Sequence, residues 1–304
     1  MLTGILIGAL TAAALIQQAD TLVQADGATR LHLQLQRGEV VVRTWDRDAV
    51  QVRATYPPGR TSQIERSGRT FQIERSGRTL AVRVDAQRGR GSGGSSPGPV
   101  DFEFTVPRGF DVDVEGMAVG VDIQGTEGNV EVTTVQGAIQ VRGGRGNISL
   151  GSVSGRITVE EARGNIRTTT VAGAITVSGS SGEVYGETVG GSITLTDIRS
   201  RSVEARTVSG PLRYDGAIED GGRYTFGTHA GDVWLRLPED MNARVSAVTL
   251  AGEIKVDFSG APDTTVRTPG MPGLREKRLT FETGDGSARV SVETFAGTLH
   301  ILRR

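Results

Sequence analysis

Glycine recurs every nine residues through the middle of this chain, at Gly128, Gly137, Gly146, Gly155, Gly164, Gly173, Gly182 and Gly191. Gly120 opens the series with a step one residue short, Ser200 starts a degenerate copy, and Gly210 closes it one residue late. A fixed period of this kind is the signature of a repeat architecture. The units read G-x-[IV]-x-[VLT], except that Gly186 ends the one at Gly182, with the apolar pairs Val130/Val132, Ile139/Val141, Ile148/Leu150, Ile157/Val159, Ile175/Val177 and Ile193/Leu195. Strict alternation places one short strand in each unit, with one face buried. The glycine that starts each unit serves a corner, through positive φ or a close backbone approach.

Neighbouring units are not equivalent. Every second glycine follows a [TS]-V-x step, at Thr134-Val135, Ser152-Val153, Thr170-Val171, Thr188-Val189 and Thr207-Val208. Asn follows the alternate glycines, at Asn129, Asn147 and Asn165. The repeat is therefore eighteen residues and two strands long. Stacking puts residue i over i+18 at roughly 4.8 Å, and five coils give a rod of roughly 25 Å. Asn then sits over Asn, and the extra Val is expected to plug the interior at one corner. An antiparallel meander also accepts such short strands. It leaves one apolar sheet face needing cover, and no helix-period segment exists to supply it. The preferred fold class is all-β: a parallel β-solenoid (β-helix or β-roll-like) of 18-residue two-strand coils, with β-strand caps at both ends.

Composition agrees. Gly makes up 43 of 304 residues and aromatics only 5%. A core must then come from small β-branched residues in close layers. The 34 Lys+Arg nearly cancel the 35 Asp+Glu, which argues against a dedicated nucleic-acid binder. Without cysteine there are no disulfides or thiolate metal sites.

The chain opens with the uncharged apolar run MLTGILIGALTAAALI. This is short for a membrane span and fits the core of a signal peptide, with residues 1–19 removed by cleavage after Ala19, or alternatively after Ala25. The first basic residue is Arg30, so the leader lacks the usual basic start. Export to the periplasm, cell surface or medium is expected, with no membrane insertion after cleavage; the alternative is that the segment is retained as an uncleaved anchor.

Residues 28–119 are expected to form an N-terminal β cap, 120–215 the glycine-repeat solenoid, and 216–304 C-terminal strands and a cap that blocks edge pairing. The N-terminal part holds a perfect tandem copy, QIERSGRT, at Gln63–Thr70 and Gln72–Thr79. Ser-Gly-Arg reads there as a turn, and Ile64 and Ile73 as strand positions. The nearby Arg60, Arg66, Arg69, Arg75 and Arg78 read as a solvated face, or as a patch for anionic glycans or headgroups. Residues 87–99 (QRGRGSGGSSPGP) read as a flexible loop, and the Pro/Gly-rich 259–278 as a surface loop.

Five stretches carry a resemblance: GEVVVRTWDRDAVQV (38–52), FEFTVPRGFDVDV (102–114), the T-V-x-G-x-I series (134–210), GDVWLRLPEDMNARVSAVTLAGEIKVDF (231–258) and ETFAGTLHI (293–301). The chain resembles the bacterial "putative adhesin" family of β-rich envelope domains of unknown function. That resemblance implies an exported adhesive or scaffolding domain, with a tie to envelope stress as a further implication. It supplies no catalytic or binding residues to carry over, and the tandem QIERSGRT is a local departure from it.

The residues offer little chemistry. His32, His229 and His300 lack any metal-ligand spacing. The run Gly143-Gly144-Arg145-Gly146-Asn147 copies the glycines of calcium-binding β-rolls but offers Asn where they need Asp. Asp111, Asp113 and Glu115 share one strand face and read as solvated rather than as a cation site. Outward repeat positions are Glu131, Gln140, Ser149, Thr158, Arg167, Thr176, Tyr185 and Thr194, with no carboxylate pair at i and i+18. Glu160 and Glu161 are adjacent, so they point apart or lie on a corner. Glycoside chemistry needs two facing carboxylates, and no Ser–His or Cys–His arrangement stands in for them. The Thr array Thr158, Thr176 and Thr194 suits an ice-ordering face, but Arg142 and Glu160 interrupt it.

The sequence thus points to a non-enzymatic exported β-solenoid, adhesin-like or scaffolding. It has no catalytic, cofactor or metal site, and its partner is a cell-surface glycan or an envelope protein. The alternatives are an envelope-stress sensor and, more remotely, a polysaccharide-processing β-helix enzyme.

Overall fold

The computed structural model describes residues 17–56, 71–84, 99–258, 265–267 and 276–304. Most of the leader, the first QIERSGRT copy and nearly all of the 87–99 loop lie outside these residues. Every regular element among them is a β-strand. Most strands pair in parallel, and they form one continuous solenoid-like sheet that wraps a single core.

Two ladders of strands run side by side. Arg30–Trp45 and Asp111–Gln124 are long enough to enter both, pairing from Arg30↔Asp111 through Val42↔Ile123. In the first ladder Val112 lies beside Val130, then Ile148, Ile166, Val184, Val203 and Tyr224. In the second Val121 lies beside Ile139, Ile157, Ile175, Ile193, Leu212 and Val233. All of these side chains are buried. Up to Val203 and Val233 each column is thus one file of β-branched or aliphatic residues at strand spacing, with Tyr224 continuing the first, which is how a chain poor in aromatics fills its interior.

The register explains the drift of the glycine repeat. The offset between paired residues is 18 as far as Ile166↔Val184. It becomes 19 at Val184↔Val203 and 21 at Val203↔Tyr224. As the coil lengthens, the core fillers grow. Tyr214 packs against Phe226 at 4.9 Å and Tyr224 at 6.1 Å.

Both ends of the stack are threaded out of chain order. Ala288–Ala296 lies between Arg223–Ala230 and Ala243–Thr249, parallel to both. Glu276–Thr283 then closes that edge antiparallel to Ala243–Thr249. At the other end Thr79–Val84 and Asp101–Pro107 flank Arg30–Trp45 in parallel. Phe71–Ser76 and Ala49–Tyr56 close them antiparallel. Gln17–Gln24 adds a further antiparallel strand along Ala49–Tyr56.

Two expectations are corrected. Residues 259–278 are not simply loop, because Thr265–Arg267 pairs antiparallel with Glu276–Arg278. The Val of the [TS]-V-x step does not plug the interior. Thr134, Ser152, Thr170, Thr188 and Thr207 are buried, and the valines that follow them are between 43% and 49% exposed. The hydroxyl is wanted inside because the corner has an orphan donor. The Gly191 N–H donates to Thr188 Oγ1 at 3.2 Å, and that hydroxyl donates to the Gly173 carbonyl at 3.3 Å. A valine could satisfy neither group.

The glycine at the end of each step serves close approach. A Cβ on Gly173 would lie 1.8 Å from the Gly155 carbonyl oxygen, and one on Gly191 1.8 Å from that of Gly173.

The expected Asn file is present. The Asn147 N–H donates to Asn129 Oδ1 at 3.0 Å, Asn165 Nδ2 to Asn147 Oδ1 at 3.3 Å, and the Glu183 N–H to Asn165 Oδ1 at 3.3 Å. Asp111 heads the file by accepting from the Asn129 N–H at 2.8 Å. In the second QIERSGRT copy, Gly77-Arg78 makes the turn of the hairpin, with Gly77 at φ 58°.

Candidate interaction surface

Because Thr and Val alternate at the corner, burying the hydroxyl forces the valine outward. The result is an apolar stripe. It begins at Met117, 62% exposed, whose neighbours pair Gly116↔Thr134 and Ala118↔Gln136. It continues through Val135, Val153, Val171, Val189 and Val208. Backbone bonds between the rungs hold the file: Ser154 N–H to Val135 O at 3.0 Å, Ala172 N–H to Val153 O at 2.9 Å, Gly190 N–H to Val171 O at 2.7 Å, and Ser209 N–H to Val189 O at 2.7 Å.

Beyond Val208 the stripe turns aromatic. His229 follows in register and stacks on Phe295 at 4.8 Å and 14°. Leu250 completes it, with the Ala251 N–H donating to Phe295 O at 2.8 Å. Eight steps at the strand spacing make it about 38 Å long. Its inner flank carries only small or neutral residues: Gln136, Ser154, Ala172, Gly190 and Ser209. Toward the Leu250 end lies a notch of about 490 Å³, lined by Val208, Gly227, Val248, Leu250 and Phe295 and also by the charged Glu187, Arg206 and Glu293.

A second outward row runs down the other ladder. Thr158, Thr176 and Thr194 stack in it as expected, followed in register by Arg213, Trp234, His300 and Lys255. The Arg213 guanidinium lies 4.5 Å from the Trp234 ring, and His300 stacks on the opposite side at 5.3 Å and 4°. Both faces of Trp234 are therefore covered, so it offers no open platform for a sugar ring. In the first ladder Arg167 sits 4.3 Å from the Tyr185 ring, and Tyr185 donates to Glu187 at 2.6 Å. That bond to a carboxylate raises the Tyr185 pKa.

The residues weighed for chemistry are dispersed. His32 Nδ1 meets Asp113 Oδ2 at 2.9 Å, and Arg30 lies 3.7 Å from Asp111. Glu160 pairs with Arg142 at 2.9 Å. Glu161 turns a corner at φ 56°. No group of three or more His, Cys, Asp or Glu is placed to hold a metal among the described residues. A corner cleft of about 670 Å³ brings Glu161, Arg163, Ser181, Asp197, Arg199 and Arg304 together. Its charges are mixed, and Arg304 is engaged by Asp197 at 2.8 Å and Asp215 at 3.2 Å. Among the arginines of the N-terminal cluster, Arg75 lies 3.4 Å from Asp26, while Arg60, Arg66 and Arg69 fall outside the described residues.

Sequence reasoning missed the stripe, because it turned the corner valines inward, and it missed the Trp234 row. The glycine period that aligned the earlier rungs is lost once the coil lengthens after Gly191. Residues 293–296 join the stripe only through the out-of-order threading of the last strands.

No curated protein sequence matches the chain. Two solved structures are similar along its length. One is described as a "putative cell adhesion protein" from Clostridium sporogenes, 9% identical over 95% of this chain and 100% of that one, with a TM-score of 0.23. The other is described as a "Putative lipid binding protein" from Parabacteroides distasonis, 10% identical over 94% and 96%, with a TM-score of 0.48. Both are too distant to bear on function. The sequence over residues 28–301 is decisive, and by it the chain belongs to the Toastrack DUF4097 family.

Proposed function

We propose that this chain is an exported, non-enzymatic scaffold of the cell envelope that works by presenting a rigid surface to another macromolecule. Eighteen-residue two-strand coils, each closing its own section of core, give it the stiffness for that task. The observation that carries the reading is the solvent-facing stripe from Met117 to Leu250. Folding buries nearly every other large apolar side chain among the described residues, yet leaves a valine in water at five successive corners. A contiguous apolar patch of this length marks an interaction site. The outward polar rows, with their ion pairs, suit a solvated envelope setting.

The test is retention of the purified chain on isolated envelope fragments in a sedimentation assay. Wild type is expected to co-sediment, and Val153→Lys/Val171→Lys to remain in the supernatant with its fold intact. Turnover of a polysaccharide, abolished by changing a single carboxylate, would overturn the reading.

A further inference from the structure

We infer that the stripe pairs with the same stripe of a second copy of this chain, antiparallel and about a two-fold axis near Val189. This rests on the reading of the stripe as an interaction surface. It goes further by naming the occupant.

Spacing selects the partner. The valines repeat at about 4.8 Å because they stack across strands. Same-face residues along one extended strand repeat at about 6.6 Å, and i, i+4 residues of a helix at about 6 Å. Neither stays in step over nine rungs. A second sheet viewed across its strands does, and its side chains can then interdigitate with these in a dry contact. The small flank at Ser154, Ala172 and Gly190 lets that sheet come close.

Charge permits self-pairing. None of the stripe's residues carries a fixed charge, and the whole chain has a net charge of -1. The charged residues nearest to it, Glu187, Arg206 and Glu293 beside the notch, are of both signs.

Shape fixes the direction. The stripe ends in a knob, Met117, and in a notch of about 490 Å³ beside Val208, Leu250 and Phe295. Antiparallel pairing sets each Met117 against the other copy's notch and brings the two Val189 residues together at the centre. A two-fold contact is self-complementary in just this way. The buried area is on the order of 1,000 Å² in total, the small end for a specific interface, so the dimer is reversible.

The chain has no cysteine, so a single introduced thiol reports the contact. Val189→Cys is expected to give a disulfide-linked dimer under mild oxidation. Gln140→Cys, on the outward row of the other ladder, is expected to stay monomeric. Sedimentation of the wild type up to about 200 μM should show a monomer–dimer equilibrium. Val153→Lys/Val171→Lys should weaken it at least tenfold at unchanged melting temperature, with Val153→Ser/Val171→Ser as the milder variant if lysine disturbs folding. A wild type that stays monomeric at that concentration overturns the inference. So does equal cross-linking at Gln140 and Val189, or a lysine variant that dimerises like the wild type. Envelope retention, assayed below the dimerisation range, separates the two readings. A monomer that is retained leaves the proposed function standing without self-pairing, and a dimer that is not retained does the reverse.

Discussion

Thr188 and Val189 are adjacent in sequence and face opposite ways, the hydroxyl sealed in the core and the isopropyl group in solvent. Thr188 bridges two coils, accepting from the Gly191 N–H and donating to the Gly173 carbonyl. The outward valine is a consequence of that inward bond. Exchanging the two roles should be asymmetric. Thr188→Val strands the Gly191 N–H in a buried corner and should cost about 1–3 kcal/mol. Val189→Thr should change stability by less than about 0.5 kcal/mol. Urea denaturation of the two variants checks this.

The corner glycines are set by backbone contact. Gly173→Ala places its Cβ against the Gly155 carbonyl oxygen. It should destabilise by about 3 kcal/mol as the stacked coils are forced apart. Gly221→Ala is a control for crowding, since nothing lies within 4 Å of its Cβ site, and its cost comes only from the φ of 70° there.

The opposite corner carries avoidable strain. Gly125, Gly143 and Gly179 are left-handed there, with φ of 77°, 75° and 60°. Glu161 and Asp197 occupy the same file at 56° and 52°. A non-glycine residue in that region costs about 1–2 kcal/mol. Glu161→Gly should therefore raise stability by about 1 kcal/mol, read as an upward shift in melting temperature of about 2–4 °C.

Much of this architecture was legible in the residues. The alternation at Ile157/Val159 and Ile175/Val177 fixed strand and face, and the spacing of Asn129, Asn147 and Asn165 fixed their stacking. The direction of Val171 was not legible. Apolarity argues for burial, and only the orphan N–H of Gly173, a property of the folded corner, decides for the Thr170 hydroxyl instead. The place of Phe295 was also hidden, because threading the last strands between earlier ones is a long-range event that leaves no local pattern.

Two buried tyrosines set an alkaline limit. Tyr214 and Tyr224 are pushed up from their ordinary pKa, chiefly by burial. Tyr214 donates to the Ala217 carbonyl at 2.6 Å, and Tyr224 to the Ser200 carbonyl at 2.5 Å. Below about pH 10 both states keep these protons, and stability does not depend on them. Above it the unfolded chain releases protons that the folded chain retains. Stability then falls by about 1.4 kcal/mol per pH unit for each group until its folded pKa is reached. Tyr214→Phe should flatten that limb in urea titrations between about pH 9 and 11.5.

The strand Gln17–Gln24 bears on export. Its Asp20 carboxylate accepts from Gln51 at 3.0 Å and Arg53 at 3.2 Å, and those bonds hold its pKa below the ordinary value. Ala25 is fully buried. Cleavage after Ala25 would strip the whole strand from Ala49–Tyr56, whereas cleavage after Ala19 keeps the strand from Asp20 onward. With the chain exported as proposed, mass spectrometry of the secreted product should find Asp20 as the first residue, and a chain starting at Asp26 would contradict this.

The outward direction of the corner valines is the claim on which the rest depends, and thiol labelling measures it directly. Val171→Cys and Thr170→Cys each place one thiol in a chain that otherwise has none. In dilute native solution Val171→Cys should react at nearly the rate of a free thiol, and Thr170→Cys should be protected until the chain unfolds. Protection at 171 with fast labelling at 170 would contradict the account.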